Sequence, residues 1–99
     1  MKRFKPVMVL MLMTVTGYGL ANTGQETFET NCAACHGEDG NAVLPGTPHF
    51  SKGERLEKTD EQLINSIENG LNVMPPWNGV LEGERIKELV GYIRALNRA

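Results

Sequence analysis

The pentapeptide Cys32-Ala33-Ala34-Cys35-His36 constrains this chain more than any other feature of its sequence. It contains both cysteines of the protein, and the only other histidine is His49. Two thiols that lie three positions apart on a tight helical turn can reach the same planar group, and the adjacent imidazole then projects towards its centre. The two intervening alanines are small enough for the edge of such a group to lie against the backbone.

This spacing is that of covalent c-type haem attachment, in which the cysteines bond the haem vinyl groups and His36 ligates the iron. Three alternatives are less favoured. A redox-active dithiol normally follows a strand in a βαβ unit, and a zinc site normally needs a second cysteine pair, which is absent. A structural disulfide suits an exported protein, but it leaves His36 unexplained.

Residues 1–21 have the organisation of a cleaved secretory signal peptide. The basic start consists of Lys2, Arg3 and Lys5, and an almost uncharged apolar stretch follows over residues 6–20. A small-x-small cleavage site, Gly19-Leu20-Ala21, ends the segment. A retained membrane anchor is the alternative, but the apolar stretch is shorter than the ~20 residues that a membrane span needs. We therefore expect cleavage near Ala21, export to the periplasm and no stable membrane insertion afterwards.

Residues 22–99 form a single monohaem domain in this interpretation. They carry seven basic and twelve acidic residues, which give a net charge of −5. Nucleic-acid binding needs clustered Lys and Arg to displace phosphate counterions, so the acidic charge argues against it. The charge instead favours redox protein partners, an electron donor and an acceptor, whose docking surfaces are basic.

Three amphipathic segments predict an all-α domain, and no alternating strand pattern occurs. The first helix opens with the capping-box pattern Thr23-Gly24-Gln25-Glu26 and runs for about two turns into the cysteine pair. The second opens with Thr59-Asp60-Glu61-Gln62 and ends at Asn69-Gly70. The third runs from about Glu84 to Asn97, and its apolar face consists of Ile86, Leu89, Val90, Ile93 and Leu96. A domain of ~78 residues buries little surface and often needs a disulfide, a metal or a prosthetic group, and a bound cofactor would stabilise this one far more than a Cys32–Cys35 disulfide.

Met74 is the predicted second axial ligand of the haem iron. The other four methionines, Met1, Met8, Met11 and Met13, lie in the predicted signal peptide. Met74 precedes Pro75-Pro76 in the long loop 71–81, where two prolines hold the backbone extended and can press the thioether on the iron. Core packing is the more usual role of a methionine. His49 is a rival ligand, although it lies only thirteen residues after His36 and a surface position is more typical of it.

Two further features of the loops stay open. Trp77 can pack against a haem face, or its Nε1–H can donate a hydrogen bond to a haem propionate. Lys52, Arg55 and Lys58 can neutralise a propionate, although three charges on one loop commonly form a solvated surface.

Together these features, from Gly24 to Leu96, resemble the class I, or mitochondrial-type, cytochromes c, and within them the short bacterial periplasmic carriers. Gly24 and Phe28 stand eight and four residues before Cys32. The resemblance implies the cytochrome c fold, in which these two residues pack against Leu89 and Tyr92 of the last helix.

The resemblance extends to Pro48-His49-Phe50, which is similar to the family's Pro-x-Leu segment. It implies that the Pro48 carbonyl accepts a hydrogen bond from the second ring nitrogen of His36. The chain departs from the family in two places. Trp77 precedes Asn78, where some relatives have Asn directly after Met-Pro-Pro, and the ring of lysines around the haem edge is missing.

The predicted function is outer-sphere transfer of one electron by a single covalent haem c, with His36 and Met74 as axial ligands and with no catalytic residue. We expect a monomer that forms transient complexes. One alternative is a fixed haem subunit of a larger periplasmic oxidoreductase. The other is a haem enzyme with an open distal site, which requires Met74 to be absent from the iron.

Overall fold

The computed structural model describes residues 18–99, so residues 1–17 of the predicted signal peptide lie outside the described residues. The α helices within this range are α1 (Tyr18–Asn31), α2 (Ala33–His36), α3 (Asp60–Asn69) and α4 (Gly83–Ala95). A single 3-10 turn spans Phe50–Lys52. No strand occurs between residues 18 and 99, so the all-α prediction is confirmed. None of the helices in this range is both long enough and apolar enough to cross a membrane.

Helix α3 begins where the sequence predicts, at a complete capping box. Thr59 Oγ1 accepts a hydrogen bond from Gln62 N at 3.1 Å, and Gln62 Oε1 accepts one from Thr59 N at 2.9 Å. Such a cap stabilises a helix by about 1 kcal/mol. It sets the phase of the helix so that Leu63 and Ile67 are buried in the core.

Helix α1 is longer than the sequence analysis predicted. The expected start was Thr23, with a length of about two turns, whereas the helix begins at Tyr18 and has 14 residues. Thr23 and Glu26 therefore lie within the helix and do not cap its start. Leu20 and Ala21 are good helix formers, and extending an existing helix is far easier than nucleating one, so the capping pattern does not stop it. The predicted cleavage site lies within this helix and stays a prediction.

The core forms where α1 and α4 cross and where α3 packs on α4. The predicted apolar face of α4, consisting of Ile86, Leu89, Val90, Ile93 and Leu96, is entirely buried. Phe28 of α1 is fully buried, and its ring centroid lies 5.4 Å from that of Tyr92. The close crossing requires glycine at position 24, because a Cβ there would lie 2.5 Å from the carbonyl oxygen of Glu88. The predicted packing of Gly24 and Phe28 on the last helix is confirmed.

Arg94, near the end of α4, fixes the loop that leads into α3. Its guanidinium donates to Asp60 Oδ1 at 2.8 Å and to the carbonyl oxygens of Leu56 and Lys58 at 2.9 and 2.8 Å. Hydrogen bonds from a charged donor to buried or partly buried acceptors are stronger than neutral ones. This loop therefore has a defined position relative to the core, and it supplies one wall residue of the site.

Candidate functional site

The C-x-x-C-H segment forms the tight turn that its sequence predicts. Cys32 N donates to the Phe28 carbonyl at 2.8 Å, which continues the path of α1, and His36 N donates to the Cys32 carbonyl at 2.9 Å. This turn places Cys32, Cys35 and His36 in the wall of the same cavity. Cys32 is half-buried and Cys35 is exposed, and the two form no disulfide.

The cavity has a volume of about 240 Å³ and a mostly apolar lining. Its wall is built by α1, α2, α3, α4 and the two long loops. Members of the lining include Phe28, Leu44, Pro48, Phe50, Leu63, Ile67, Leu71, Val73, Met74, Trp77, Leu89 and Ile93. Among the lining residues that the structure describes, Arg55 alone has a formal charge at neutral pH. An apolar cavity of this kind suits a flat, largely apolar ligand that has one polar edge.

The His36 imidazole is held by its neighbours in a fixed orientation. The residue is 9% exposed, and its ring is stacked on that of Phe50, with centroids 4.5 Å apart and an interplanar angle of 12°. Burial lowers the pKa of His36, and the Pro48 carbonyl opposes that shift. The imidazole is therefore neutral near pH 7, which is the form that binds a metal.

The predicted contact between His36 and Pro48 is present in part. The Pro48 carbonyl acts on the pKa of the imidazole, but Nδ1 is buried and makes no hydrogen bond of standard geometry. Buried ring nitrogens normally have a hydrogen-bond partner. A metal bound to Nε2 would orient the imidazole, and Nδ1–H could then donate to the Pro48 carbonyl. This leaves Nε2 as the nitrogen for an iron ligand.

The thiols do not have the properties of a redox-active pair. Burial, and secondly the charge of Cys35, raise the pKa of Cys32 to about 11. Catalytic dithiols work through a thiolate whose pKa is lowered, so the redox-dithiol alternative loses support. Within residues 18–99 no three His, Cys, Asp or Glu side chains cluster closely enough to hold a metal ion, and the zinc alternative has no site there.

Met74 lies in the wall of the same cavity as His36, half-buried, in the loop between α3 and α4. The turn around it is closed by two backbone hydrogen bonds with Leu71, at 2.9 and 3.1 Å. Gly70 has φ +81°, and a Cβ there would lie 2.6 Å from the Met74 carbonyl oxygen. The loop can therefore fold back on α3 only because position 70 is glycine, which sequence analysis had assigned to helix termination alone.

The remaining candidate site residues differ in whether they line the cavity. His49 is absent from the cavity lining, and its Nδ1 accepts the backbone N–H of Ala42 at 2.9 Å. Trp77 lines the cavity and packs against the core, and its backbone N donates to the Ile67 carbonyl at 2.9 Å. Of the three loop cations, Arg55 alone lines the cavity. Sequence analysis missed the stacking of Phe50 on His36, for which its position two residues after Pro48 was the only signal.

An all-α fold with a C-x-x-C-H turn that opens into an apolar cavity defines a c-type cytochrome domain. The lining fits haem, because it offers two thiols and an imidazole for attachment, a thioether as a further ligand, apolar walls and one cation for the carboxylate edge.

Comparison with known protein families identifies the family to which the chain belongs. The pattern of the family described as "Cytochrome C oxidase, cbb3-type, subunit III" matches residues 19–93. The chain belongs to the cytochrome c family, among small class I domains of the c6 and cbb3 types.

Individual relatives agree with this placement. The chain is 35% identical to cytochrome c6 of Euglena viridis over 77 residues, which cover 72% of this chain and 86% of that protein. It is 39% identical to the cbb3-type cytochrome c oxidase subunit FixP of Bradyrhizobium sp. (strain ORS 278), over 86% of this chain but only 30% of that protein. Among solved structures, the KustC0563 c-type cytochrome has a TM-score of 0.69 at 30% identity, with 75% of this chain and 96% of that one covered.

Proposed function

We propose that residues 22–99 are a periplasmic one-electron carrier with a single haem c bonded to Cys32 and Cys35 and ligated by His36 and Met74. The observation that carries this proposal is that all four side chains line the same cavity. Membership of the cytochrome c family supports electron transfer on a c-type haem. The periplasmic location rests on the signal-like residues 1–21.

Each of these side chains has a role that follows from its chemistry. When bound, haem iron supplies reversible one-electron chemistry. The Cys32 and Cys35 thiols would hold it covalently, each by addition of its S–H across one vinyl group. His36 is neutral and held by Phe50, so little reorganisation is needed at that ligand. The thioether of Met74 and the apolar walls favour the ferrous state, because they stabilise the extra charge of ferric iron poorly.

The partners in this proposal are a donor and an acceptor protein with basic docking surfaces, because the mature domain has a net charge of −5. Such complexes are small and weak, which permits rapid exchange of partners. Electrostatic attraction would act mainly on the rate of encounter, so transfer rates would fall as ionic strength rises.

A second candidate function is that of a fixed haem subunit of a larger oxidoreductase. The FixP relatives favour it, and so does apolar surface around the cavity mouth. Val73, which lines the cavity, is 81% exposed, and Val43, which precedes the lining residue Leu44, is 69% exposed. Exposed apolar residues that cluster at one place commonly mark an interface.

Haem attachment is the first test of the proposal. We expect the haem of the exported protein to stay with the polypeptide after denaturation and acid–organic extraction. We expect Cys32→Ala or Cys35→Ala to leave one thioether or none, which shifts the pyridine haemochrome spectrum, and the double variant to give little folded holoprotein. Ala34→Ser, an exposed position between the thiols, is the matched control. Extractable haem in the wild type, or normal haem content in the double variant, contradicts the proposal.

The native size separates the two candidate functions. A carrier elutes from gel filtration of a native extract at the size of the single domain, and it shuttles electrons between separately added partners. A fixed subunit elutes with a larger assembly and is released only when apolar contacts are disrupted.

A further inference from the structure

Three places in the chain have an asparagine or an aspartate directly before a glycine. They are Asp39-Gly40, Asn69-Gly70 and Asn78-Gly79. At such a pair the backbone nitrogen of the glycine can attack the side-chain carbonyl carbon of the preceding residue, because glycine has no side chain that obstructs the approach. An asparagine that reacts in this way loses its amide. The three pairs differ in what holds the attacking nitrogen and the side chain.

The Asn69-Gly70 pair is held at the end of α3 by hydrogen bonds on both reacting groups. Gly70 N donates to the Ser66 carbonyl at 2.8 Å. Asn69 is exposed, but its Nδ2 donates to the carbonyl oxygen and to Oδ1 of Asn65, at 3.2 and 2.6 Å. Asn69 is also the last residue of the helix, which constrains its ψ. Ring closure here would require these bonds to break and the end of the helix to unwind.

The Asp39-Gly40 pair is protected in a different way. The Asp39 carboxylate accepts hydrogen bonds from the backbone N and from Nδ2 of Asn41, at 3.0 and 2.9 Å. These bonds lower the pKa of Asp39, so the carboxyl group is ionised near neutral pH. A carboxylate resists attack by a nucleophile. Gly40 N is engaged as well, since it donates to the Gly37 carbonyl at 3.2 Å.

The Asn78-Gly79 pair has neither kind of protection. Asn78 is exposed, and its carboxamide makes no hydrogen bond with any other residue between 18 and 99. Val80 N and Leu81 N close the turn around the pair by donating to the Trp77 carbonyl, both at 2.9 Å. Gly79 N donates to no acceptor with standard geometry in this part of the chain. Apart from its chain neighbours, nothing lies within 4 Å of a Cβ placed on Gly79.

We propose that Asn78 is a site of spontaneous deamidation, at which Gly79 N closes on the side-chain amide and water completes the reaction. Gly79 N gives up its proton and bonds to Asn78 Cγ, the Cγ–Nδ2 bond breaks, and the amide nitrogen leaves as ammonia. Water then opens the cyclic imide and returns a proton to Gly79 N. Attack of water at Cγ gives aspartate in the ordinary main chain. Attack at the main-chain carbonyl gives isoaspartate, in which the main chain runs through the former side chain.

Both products change the surface next to the cavity wall. Each replaces a neutral amide with a carboxylate, which adds a negative charge beside the lining residue Trp77. The isoaspartyl product also inserts a methylene into the main chain between the Trp77 carbonyl and the backbone N–H groups of Val80 and Leu81 that bond it. These bonds close a tight turn, so the isoaspartyl product disrupts the turn and the aspartyl product leaves it intact.

The test follows both Asn-Gly pairs of the full-length holoprotein during incubation at slightly alkaline pH, which favours loss of the proton from Gly79 N. Deamidation changes the mass of a peptide because oxygen replaces NH, and cleavage after Leu71 by chymotrypsin separates Asn69 from Asn78. We expect Asn78 to convert at least about tenfold faster than Asn69, which corresponds to ~1.4 kcal/mol in the barrier. In urea the two asparagines should convert at similar rates, because unfolding removes the hydrogen bonds that protect Asn69.

Asn78→Gln is the matched variant, because its longer side chain cannot close the same small ring, and residue 78 should then stay intact. The inference is overturned if Asn78 of the native protein stays intact or converts no faster than Asn69. Asn78→Asp supplies the ordinary aspartyl product. We expect it to unfold at the wild-type temperature and the isoaspartyl fraction to unfold at a lower one, whereas equal temperatures would refute the effect on the turn.

This inference does not rest on haem binding. The mass change at position 78 is measured whether or not haem stays attached to the polypeptide. Failure of the proposed function is seen separately, as extractable haem in the wild-type protein.

Discussion

The rings of His36 and Phe50 are stacked almost parallel, with centroids 4.5 Å apart and an interplanar angle of 12°. Phe50 begins the 3-10 turn Phe50–Lys52, and this turn follows the Pro48 carbonyl that faces the same imidazole. One short segment of the first long loop therefore acts on both the plane and the outer nitrogen of His36. The orientation of the imidazole is determined by this loop as much as by the C-x-x-C-H turn.

Phe50→Leu tests this orientation, because it keeps most of the buried apolar bulk and removes the stacked ring. Aromatic contacts contribute about 0.5–1.5 kcal/mol beyond surface burial, and we expect a loss of stability near that size. The g values of the low-spin ferric protein, measured by electron paramagnetic resonance, should change because they depend on the ligand plane. Tyr92→Leu removes a different ring contact, the one with Phe28, and should leave the g values unchanged. Equal spectra for wild type and Phe50→Leu would show that the stack does not orient His36.

Phe28→Ala tests the crossing of α1 and α4. Phe28 is fully buried in the core cluster that also contains Ile86 and Leu89, and its ring packs against that of Tyr92. Emptying such a site costs about 3–5 kcal/mol, which is a large part of the stability of a small domain. Chemical unfolding of the holoprotein, followed by haem absorbance, measures the loss. Val80→Ala, at a position that is 66% exposed, should change stability by less than ~0.5 kcal/mol. A loss below ~1 kcal/mol for Phe28→Ala would place Phe28 outside the core.

Asp39 gives a pH-dependent prediction. Its carboxylate accepts hydrogen bonds from the backbone N and the side-chain Nδ2 of Asn41, at 3.0 and 2.9 Å. The backbone bond first, and then the side-chain bond, lower the pKa of Asp39 below its ordinary value of 3.8. The unfolded chain therefore binds more protons as the pH falls, so this stabilisation is present above pH 3.8 and is lost below it.

Asp39→Asn removes that contribution at every pH. We expect wild type to be more stable than the variant at neutral pH, and the difference to shrink as the pH falls through the lowered pKa. Urea unfolding of both proteins over a series of pH values measures it. Glu57→Gln, an exposed charge change elsewhere in the same long loop, is the control. A difference that stays constant down to strongly acidic pH would refute the assignment.

Local sequence signals predicted the elements that depend on neighbouring residues. Thr59 and Gln62 form a capping box within one turn, and the face of α4 follows from helical periodicity alone. The C-x-x-C-H turn is equally local. The features that sequence analysis missed depend on contacts between distant segments. Stacking of Phe50 on His36 joins two segments, and the close approach of Gly70 to Met74 depends on how the loop folds back on α3.

The position of Arg55 in the cavity wall also could not be predicted from local sequence. Lys52, Arg55 and Lys58 are equivalent as charges on a loop, and only the fold decides which one faces the cavity. The predicted start of α1 was wrong for a related reason. A capping pattern shows where a helix can begin, but the preceding residues decide whether it begins there.

Gly70→Ala tests whether close packing of the loop positions Met74. The new Cβ would lie 2.6 Å from the Met74 carbonyl oxygen, at a φ of +81°. We expect the loop to shift and the sulfur-to-iron charge-transfer band of the ferric protein to weaken or disappear. Gly79→Ala is a matched control in the same loop, because its φ is +90° but nothing lies within 4 Å of the new Cβ. Both substitutions carry a backbone cost of roughly 1–3 kcal/mol, so only the steric clash distinguishes them. Identical bands in the two variants would show that Gly70 does not position Met74.

Met74 itself separates an electron carrier from a haem enzyme. If its sulfur is on the iron, the ferric protein has a weak near-infrared charge-transfer band, and Met74→Ala abolishes it. The potential then falls, because a thioether favours ferrous iron whereas water or hydroxide in its place favours ferric iron. The vacant position also admits cyanide and carbon monoxide. Val80→Ala, in the same loop but outside the cavity lining, should change none of these properties.

Met74→His distinguishes ligand chemistry from a simple vacancy. A second imidazole keeps the iron six-coordinate, so external ligands stay excluded, yet the potential still falls because imidazole stabilises ferric iron better than a thioether does. The two variants therefore share a lower potential and differ in carbon monoxide binding. A wild-type protein that binds carbon monoxide readily at neutral pH, or lacks the near-infrared band, would rule out methionine ligation. The open-site enzyme would then be the better account of this cavity.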